Sequence, residues 1–264
     1  MNKNLPYILI AFGVAAVVCL LSFFDLYDNF ENSLLDMRFK NRGLVEVRDD
    51  IATVDIDTDA LATIGKWSPW SRDKHLPVIK TAAEHGIDAF LFDFYFIEES
   101  ERQLNYKVLD NIQDSILSMD AVKDLFPDPD FDLAREAEAA GNIVFAQSFK
   151  PQPKKKEKVK ERTDSQNSRL ALMEEKGLFR KVNRDDFSSL FDFYDGEFPV
   201  EIFIDKGAGI YFFQAKADRD GVMRKYPLLG LYEDRLFPSI TLAIALNHYG
   251  VSFHDVEIVP GEHL

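Results

Sequence analysis

Ile51-Ala-Thr-Val-Asp-Ile-Asp57, Trp67-Ser-Pro-Trp-Ser-Arg-Asp-Lys-His75 and Ala89-Phe-Leu-Phe-Asp93 follow one another in the chain, and their reading decides the fold. The first is a short β-branched run and the third an apolar one, so each reads as a strand, Ile51–Ile56 and Ala89–Phe94. Leu76–His85 between them reads as a helix, with Pro77 tolerated in its first turn and Gly86 just past its end. A strand, loop, helix and strand in that order imply parallel strands in a covered sheet. The Trp67–His75 loop then stands at the carboxyl end of the first strand, where open α/β sheets place their pockets.

Downstream, Leu104, Val108, Ile112, Ile116 and Met119 recur at helical spacing until Pro127 and Pro129. Asp130–Ala140 reads as a further helix closed by Gly141-Asn142, and Ile143–Gln147 as the next strand. Residues 150–168 hold ten Lys, Arg, Asp or Glu residues within one unpatterned stretch, which reads as a solvated loop or insertion. Beyond it, Val200–Ile204, Ile210–Ala215 and Val222–Leu229 read as strands. Asp218, Asp220 and Gly221 supply turn chemistry for a hairpin between the last two. Pro238–His248 reads as a helix stopped by Gly250. Val256–Val259 begins another strand close to the end, so the expectation is a chain truncated at its C terminus. The fold class expected is α/β: an N-terminal transmembrane helix, then a layered domain with a mixed, largely parallel sheet.

Upstream, Leu5–Phe24 is a run of 20 uncharged residues, which is long enough to cross a hydrocarbon core of about 30 Å. The run is long for the core of a cleaved signal peptide and no small-x-small site precedes Asp25, which favours an uncleaved anchor over that alternative. Lys3 on one side and Asp25, Asp28 and Glu31 on the other put the N terminus in the cytoplasm. The expected organisation is 1–24 as cytoplasmic N terminus and span, and 25–264 as an extracytoplasmic domain on the inner membrane. Leu26, Phe30, Leu34 and Met37 then recur at helical spacing up to Asn41-Arg42-Gly43. This segment is either a stalk, with a homodimer formed through it, or a face packed on its own domain.

The net charge of −14 includes the basic run Lys154–Arg162, and without that run it is −18. This charge disfavours nucleic acid and anionic lipid surfaces as partners of the outer domain. The one cysteine, Cys19, falls within the apolar run, so the domain depends on its core and not on disulfides.

Several residues are candidates for chemistry. Asp55 and Asp57, two apart at a strand end, match the nucleophile and acid of a magnesium-dependent phosphohydrolase, whose site also needs a lysine and a second acidic pair. Asp185-Asp186 follows a polar segment and makes a poor second pair. The competing reading has one carboxylate order the loop and the other face solvent. Trp67 and Trp70 line a ligand cleft or cover one edge of the core. Arg72 either forks onto an anionic ligand group or pairs with Asp57 or Asp93 to hold the loop, the second being preferred. Asp218, Asp220 and Gly221 have the look of a calcium loop. In that register Lys216 and Pro227 occupy ligand positions, so a structural turn including Arg224 is the better account. The histidines lack zinc spacing, and neither a nucleophile elbow nor a phosphate-cradling glycine loop is present. No metal or cofactor is expected.

The ordered set of Asp36-Met-Arg-Phe39, Val54-Asp-Ile-Asp57, Trp67-Ser-Pro-Trp-Ser-Arg72, Phe90-Leu-Phe-Asp93 and Ala217-Asp-Arg-Asp-Gly-Val-Met-Arg224 resembles the second CHASE family. These are extracellular sensory domains associated with bacterial cyclases and histidine kinases. Asp130–Asn142 is similar to the family's helix before its third strand. The resemblance implies a periplasmic or extracellular input domain without enzymatic activity of its own. It implies an unidentified small molecule or envelope protein as ligand, and a cyclase or kinase output beyond this chain. A passive envelope scaffold is the remaining alternative.

Overall fold

A computed structural model describes residues 5–21, 25–46, 49–66, 70–105, 108, 125–151, 161–218 and 220–259. The chain divides into two compact units, Met1–Asp57 and Thr58–Leu264.

Among the described residues the first unit holds two helices, α1 (Leu5–Leu21) and α2 (Asp25–Arg42). In α1 the apolar side chains are exposed on every face, among them Ile8, Leu9, Phe12, Val14 and Val18. Its 17 residues rise about 25 Å, short of a hydrocarbon core. Among the described residues no helix is long and apolar enough to cross a membrane. The expected 20-residue span is thus not formed as one described helix, and residues 22–24 lie outside the described residues. On α2, Phe30 and Met37 are exposed, and Leu34 and Leu35 are half-buried. Residues 51–57 form no strand, and Ile51 and Val54 are about two-thirds exposed. Among the described residues the β-branched run has no strand beside it to complete its hydrogen bonds, and the expectation of a strand there is corrected.

The second unit opens with the helix α3 (Thr58–Ile64), a 3-10 turn at Arg72–His75 and the helix α4 (Leu76–Glu84). The Trp67–His75 loop therefore joins two helical segments and not a strand to a helix. Strand β1 (Phe90–Tyr95) leads, through a stretch outside the described residues that contains most of the expected 104–119 helix, to helix α5 (Pro129–Ala140). The α5 helix has complete local instructions. The Asp128 side chain caps it by accepting from Phe131 N, Pro129 starts it, Asp130 and Asp132 sit at its positive end, and Gly141 closes it at φ 73°. Next come β2 (Ile143–Ala146), β3 (Ser148–Pro151), α6 (Asp164–Glu175), β4 (Arg180–Lys181) and β5 (Phe191–Glu197). They are followed by α7 (Glu201–Lys206), β6 (Gly209–Tyr211), the pair β7 (Leu229–Tyr232) and β8 (Arg235–Pro238), and α8 (Ile240–His248).

Two sheets result. The first is parallel throughout, in the order β1-β2-β6, with Phe90 beside Ile143 and Val144 beside Gly209. The second is mixed, in the order β3-β5-β7-β8-β4, with β5 and β7 parallel and the other neighbours antiparallel. One core joins them. Phe92, Phe96 and Phe145 of the parallel side, Phe212 one residue past β6, and Phe149, Phe193 and Phe237 of the mixed side belong to a single buried cluster. Phe149 stacks on Phe193 with ring centres 4.5 Å apart, and Phe92 stacks on Phe145 at 5.6 Å.

Four further expectations are corrected. Val200–Ile204 is not a strand, because Val200, Phe203 and Ile204 are the buried positions, and that spacing is helical. Val222–Leu229 forms no strand before Leu229, so the turn at Asp218–Gly221 closes no hairpin ladder. Val256–Val259 holds a bridge residue at Val259 only. The 150–168 segment is structured at both ends, by β3 up to Pro151 and by α6 from Asp164; residues 152–160 lie outside the described residues.

Candidate functional site

The 3-10 turn at Arg72–His75, the first turn of α5 and the segment leaving β1 meet at one place. Arg72 Nε donates to Asp130 Oδ1 at 3.1 Å, its Nη2 donates to the Glu98 carbonyl at 2.9 Å, and its guanidinium lies 4.5 Å over the Phe96 ring. Asp130 also accepts from the Ser100 amide at 2.7 Å and the Ser100 hydroxyl at 2.9 Å. An almost fully buried carboxylate is thus matched by charge and by three donors, as burial of a charge requires. Burial lowers the Arg72 pKa from its ordinary value, and Asp130 opposes that shift. Arg72 has an internal partner as preferred from sequence, but that partner is Asp130 and neither Asp57 nor Asp93.

His75 ends the same turn, buried among aromatic rings, with Phe94 at 5.1 Å, Phe92 at 5.7 Å, Phe96 at 5.9 Å and Trp70 at 6.1 Å. Burial, reinforced by the Arg72 charge and opposed by Asp73, pushes its pKa down to about 4. The imidazole is neutral at pH 7.

In front of this cluster opens a cleft of about 570 Å³, within the range of small-molecule sites. Trp70, Lys66, Lys74, Gln103, Asn105 and Asp132 contribute to its wall. The Trp70 indole is oriented by its Nε1–H, which donates to the Gly65 carbonyl at 2.9 Å. Arg72 does not line the cleft; it braces the turn behind it. A flat aromatic wall, two lysines, two side-chain amides and the carboxylates of Asp73 and Asp132 suit a small polar molecule with a planar part.

The other expected residues are scattered. Trp67 lies outside the described residues. Asp55 and Asp57 are exposed on the segment that forms no strand, and Asp93 is exposed on β1. The strand end on which a phosphohydrolase reading of Asp55 and Asp57 depends is therefore not formed. Among the described residues no group of three or more His, Cys, Asp or Glu could hold a metal ion. Asp218 and Asp220 hold Arg224, whose Nη1 lies 2.9 Å from Asp218 Oδ2 and whose Nη2 lies 2.7 Å from Asp220 Oδ2. The Arg224 hydrogen bond, helped by the Val222 amide, lowers the Asp220 carboxyl to about 2. Gly221 takes φ 84° in that turn. Lys66, Lys74, Gln103, Asn105, Asp130 and Asp132 were not singled out by sequence. Only the two acids carried a signal, as negative charges expected in a first helical turn.

The CHASE2 domain family matches residues 12–259, nearly the whole chain. The chain belongs to this family of extracellular sensory domains. Comparison with curated proteins and with solved structures returned no match.

Proposed function

We propose that this chain is the extracytoplasmic sensory input part of a bacterial transmembrane receptor whose output is a cyclase or a kinase. Occupancy of the cleft at Trp70 is the input, and the domain carries no chemistry of its own. A ligand acts by binding one of two conformations more tightly, and the shift it produces is bounded by that difference in affinity. The observation that carries this reading is the 570 Å³ cleft whose floor turn is braced by the Arg72–Asp130 pair, since a preorganised wall keeps ordering costs low. The apolar run of Leu5–Phe24 serves as the membrane anchor, with the domain on the outer face of the inner membrane. Helix α2 serves as the stalk and as the contact for a homodimer, for which the exposed Phe30 and Met37 provide apolar surface.

A thermal-shift screen of small polar metabolites against the full chain tests it. Compounds that raise the melting temperature of wild type should fail to do so with Trp70→Ala and still act on Asp93→Asn. A screen with no stabilising compound, or hits indifferent to Trp70, would remove the cleft from the reading.

A further inference from the structure

The charges on the wall of the Trp70 cleft are unequally matched, and on the reading of that cleft as the input site they select its ligand. Two carboxylates and two ammonium groups line it. Both carboxylates have partners within the protein. Asp73 Oδ2 lies 3.1 Å from Lys74 Nζ, and Asp132 Oδ1 lies 3.5 Å from Arg135 Nη1, in the first turn of α5 where the helix end also favours negative charge. Lys66 has neither an ion pair nor a hydrogen bond among the described residues. With Lys74 set against Asp73 and Arg135 against Asp132, Lys66 leaves the described wall with one positive charge, on a chain whose net charge is −14.

Lys66 is also tied to the aromatic wall. The Trp70 Nε1–H donates at 2.9 Å to the carbonyl of Gly65, the residue before Lys66, so the ammonium stands within a lysine side chain's length of the indole edge. Leu104, Pro127 and Pro129 complete the apolar part of the lining. The side-chain amides of Gln103 and Asn105 line the cleft without a hydrogen bond among the described residues.

We infer that the cleft binds a small monoanion whose charged group is joined to a flat apolar ring, the chemistry of an aromatic carboxylate. The ring lies on the Trp70 indole and the carboxylate meets the Lys66 ammonium, with the two amides left for polar substituents. A cation would face two lysines while both carboxylates of the wall are already matched. A dianion would need Lys74 as well, and drawing Lys74 away would turn the Asp73 charge on the guest. A neutral ring keeps the stacking and gains nothing from Lys66.

Thermal shifts and titrations of the full chain at neutral pH and constant ionic strength test this with matched probes: benzoate, phenylacetate and cinnamate, each beside its carboxamide and the corresponding amine. At least one carboxylate should raise the melting temperature of wild type and bind more tightly than its carboxamide, and the amines should not bind. Lys66→Met, a change at an exposed side chain, should weaken the carboxylate about fivefold and leave the carboxamide unchanged, and Lys66→Arg should restore the preference. Carboxamides or amines that bind as tightly as the carboxylates, carboxylates that shift nothing, or a Lys66→Met protein that keeps the preference would overturn the inference. If hits from the metabolite screen depend on Trp70 while the carboxylates shift nothing, this inference falls and the cleft stands as the input site. If every hit acts equally on Trp70→Ala, both fall.

Discussion

Arg72 and Asp130, 58 residues apart in the chain, meet at 3.1 Å and tie the turn before α4 to the first turn of α5. Their side chains are 17% and 9% exposed, so the pair is mostly shielded from water. Replacing Arg72 by Ala leaves Asp130 with Ser100 alone for compensation. The expected loss is about 2–4 kcal/mol, somewhat below the cost of breaking a fully buried pair. Denaturant unfolding of Arg72→Ala, Asp130→Asn and the double variant measures it, and the double variant should lose less than the sum of the singles. An Arg72→Ala protein as stable as wild type would show that the pair is not the brace described.

His75 makes stability depend on pH in a defined window. Its folded pKa of about 4 lies below the unfolded value of about 6.5, so the unfolded chain takes up the proton first as pH falls. The contribution is complete above pH 6.5 and declines from there to about pH 4, by up to about 3 kcal/mol. His75→Phe should flatten the pH dependence of unfolding in that interval. An unchanged profile in the variant would assign the acid sensitivity to other groups.

Two glycines separate backbone strain from packing. At Gly221, φ is 84° and nothing lies within 4 Å of the place an added methyl group would take, so Gly221→Ala costs only the strained backbone, about 1 kcal/mol. At Gly230 an added Cβ would overlap the buried Phe193 ring and reach Phe212 at 3.1 Å. Gly230→Ala should therefore cost more, about 1–3 kcal/mol, or prevent folding. Equal melting temperatures for the two variants would contradict this ranking.

The anchor is tested by topology. A reporter enzyme active only outside the cytoplasm, fused after Gly43, should be active, and the purified protein should retain Met1. An inactive reporter would reverse the orientation, and loss of the first two dozen residues would identify a cleaved signal.

The helices that sequence made legible were those with written ends. Asp128, Pro129 and Gly141 delimit α5, and Ser239 begins α8 by accepting from the Leu242 amide. The strands beside α5, β1 and β2, were also legible, because unbroken apolar runs are what a covered parallel sheet requires. Ile51–Ile56 misled because β-branched composition shows only that a segment suits a sheet; it does not supply a neighbouring strand. Glu201–Lys206 misled because a six-residue helix shows barely one period. The strands β5, β7 and β8 were missed wholly or in part, since glycines and charges interrupt their apolar residues. Within the site, Trp70 and Arg72 stood out by residue type. Asp130 did not, because a carboxylate at a helix start is ordinarily solvated and its burial is decided by Ser100 and Arg72, far away in sequence.

The aromatic cluster shared by the two sheets limits how the domain can transmit force. Phe212, one residue past β6 of the parallel sheet, meets Phe193 of β5 at 5.1 Å and Phe149 of β3 at 6.1 Å, and its carbonyl accepts from the Ile240 amide at 2.8 Å. Sliding one sheet over the other would part all of these contacts at once. The two sheets therefore share one continuous packing, and a change in either is felt in the core of both. The Arg72–His75 turn is seated on the same core, because His75 packs against Phe92 and Phe96, so the wall of the Trp70 cleft is carried by the shared core and not hinged against it.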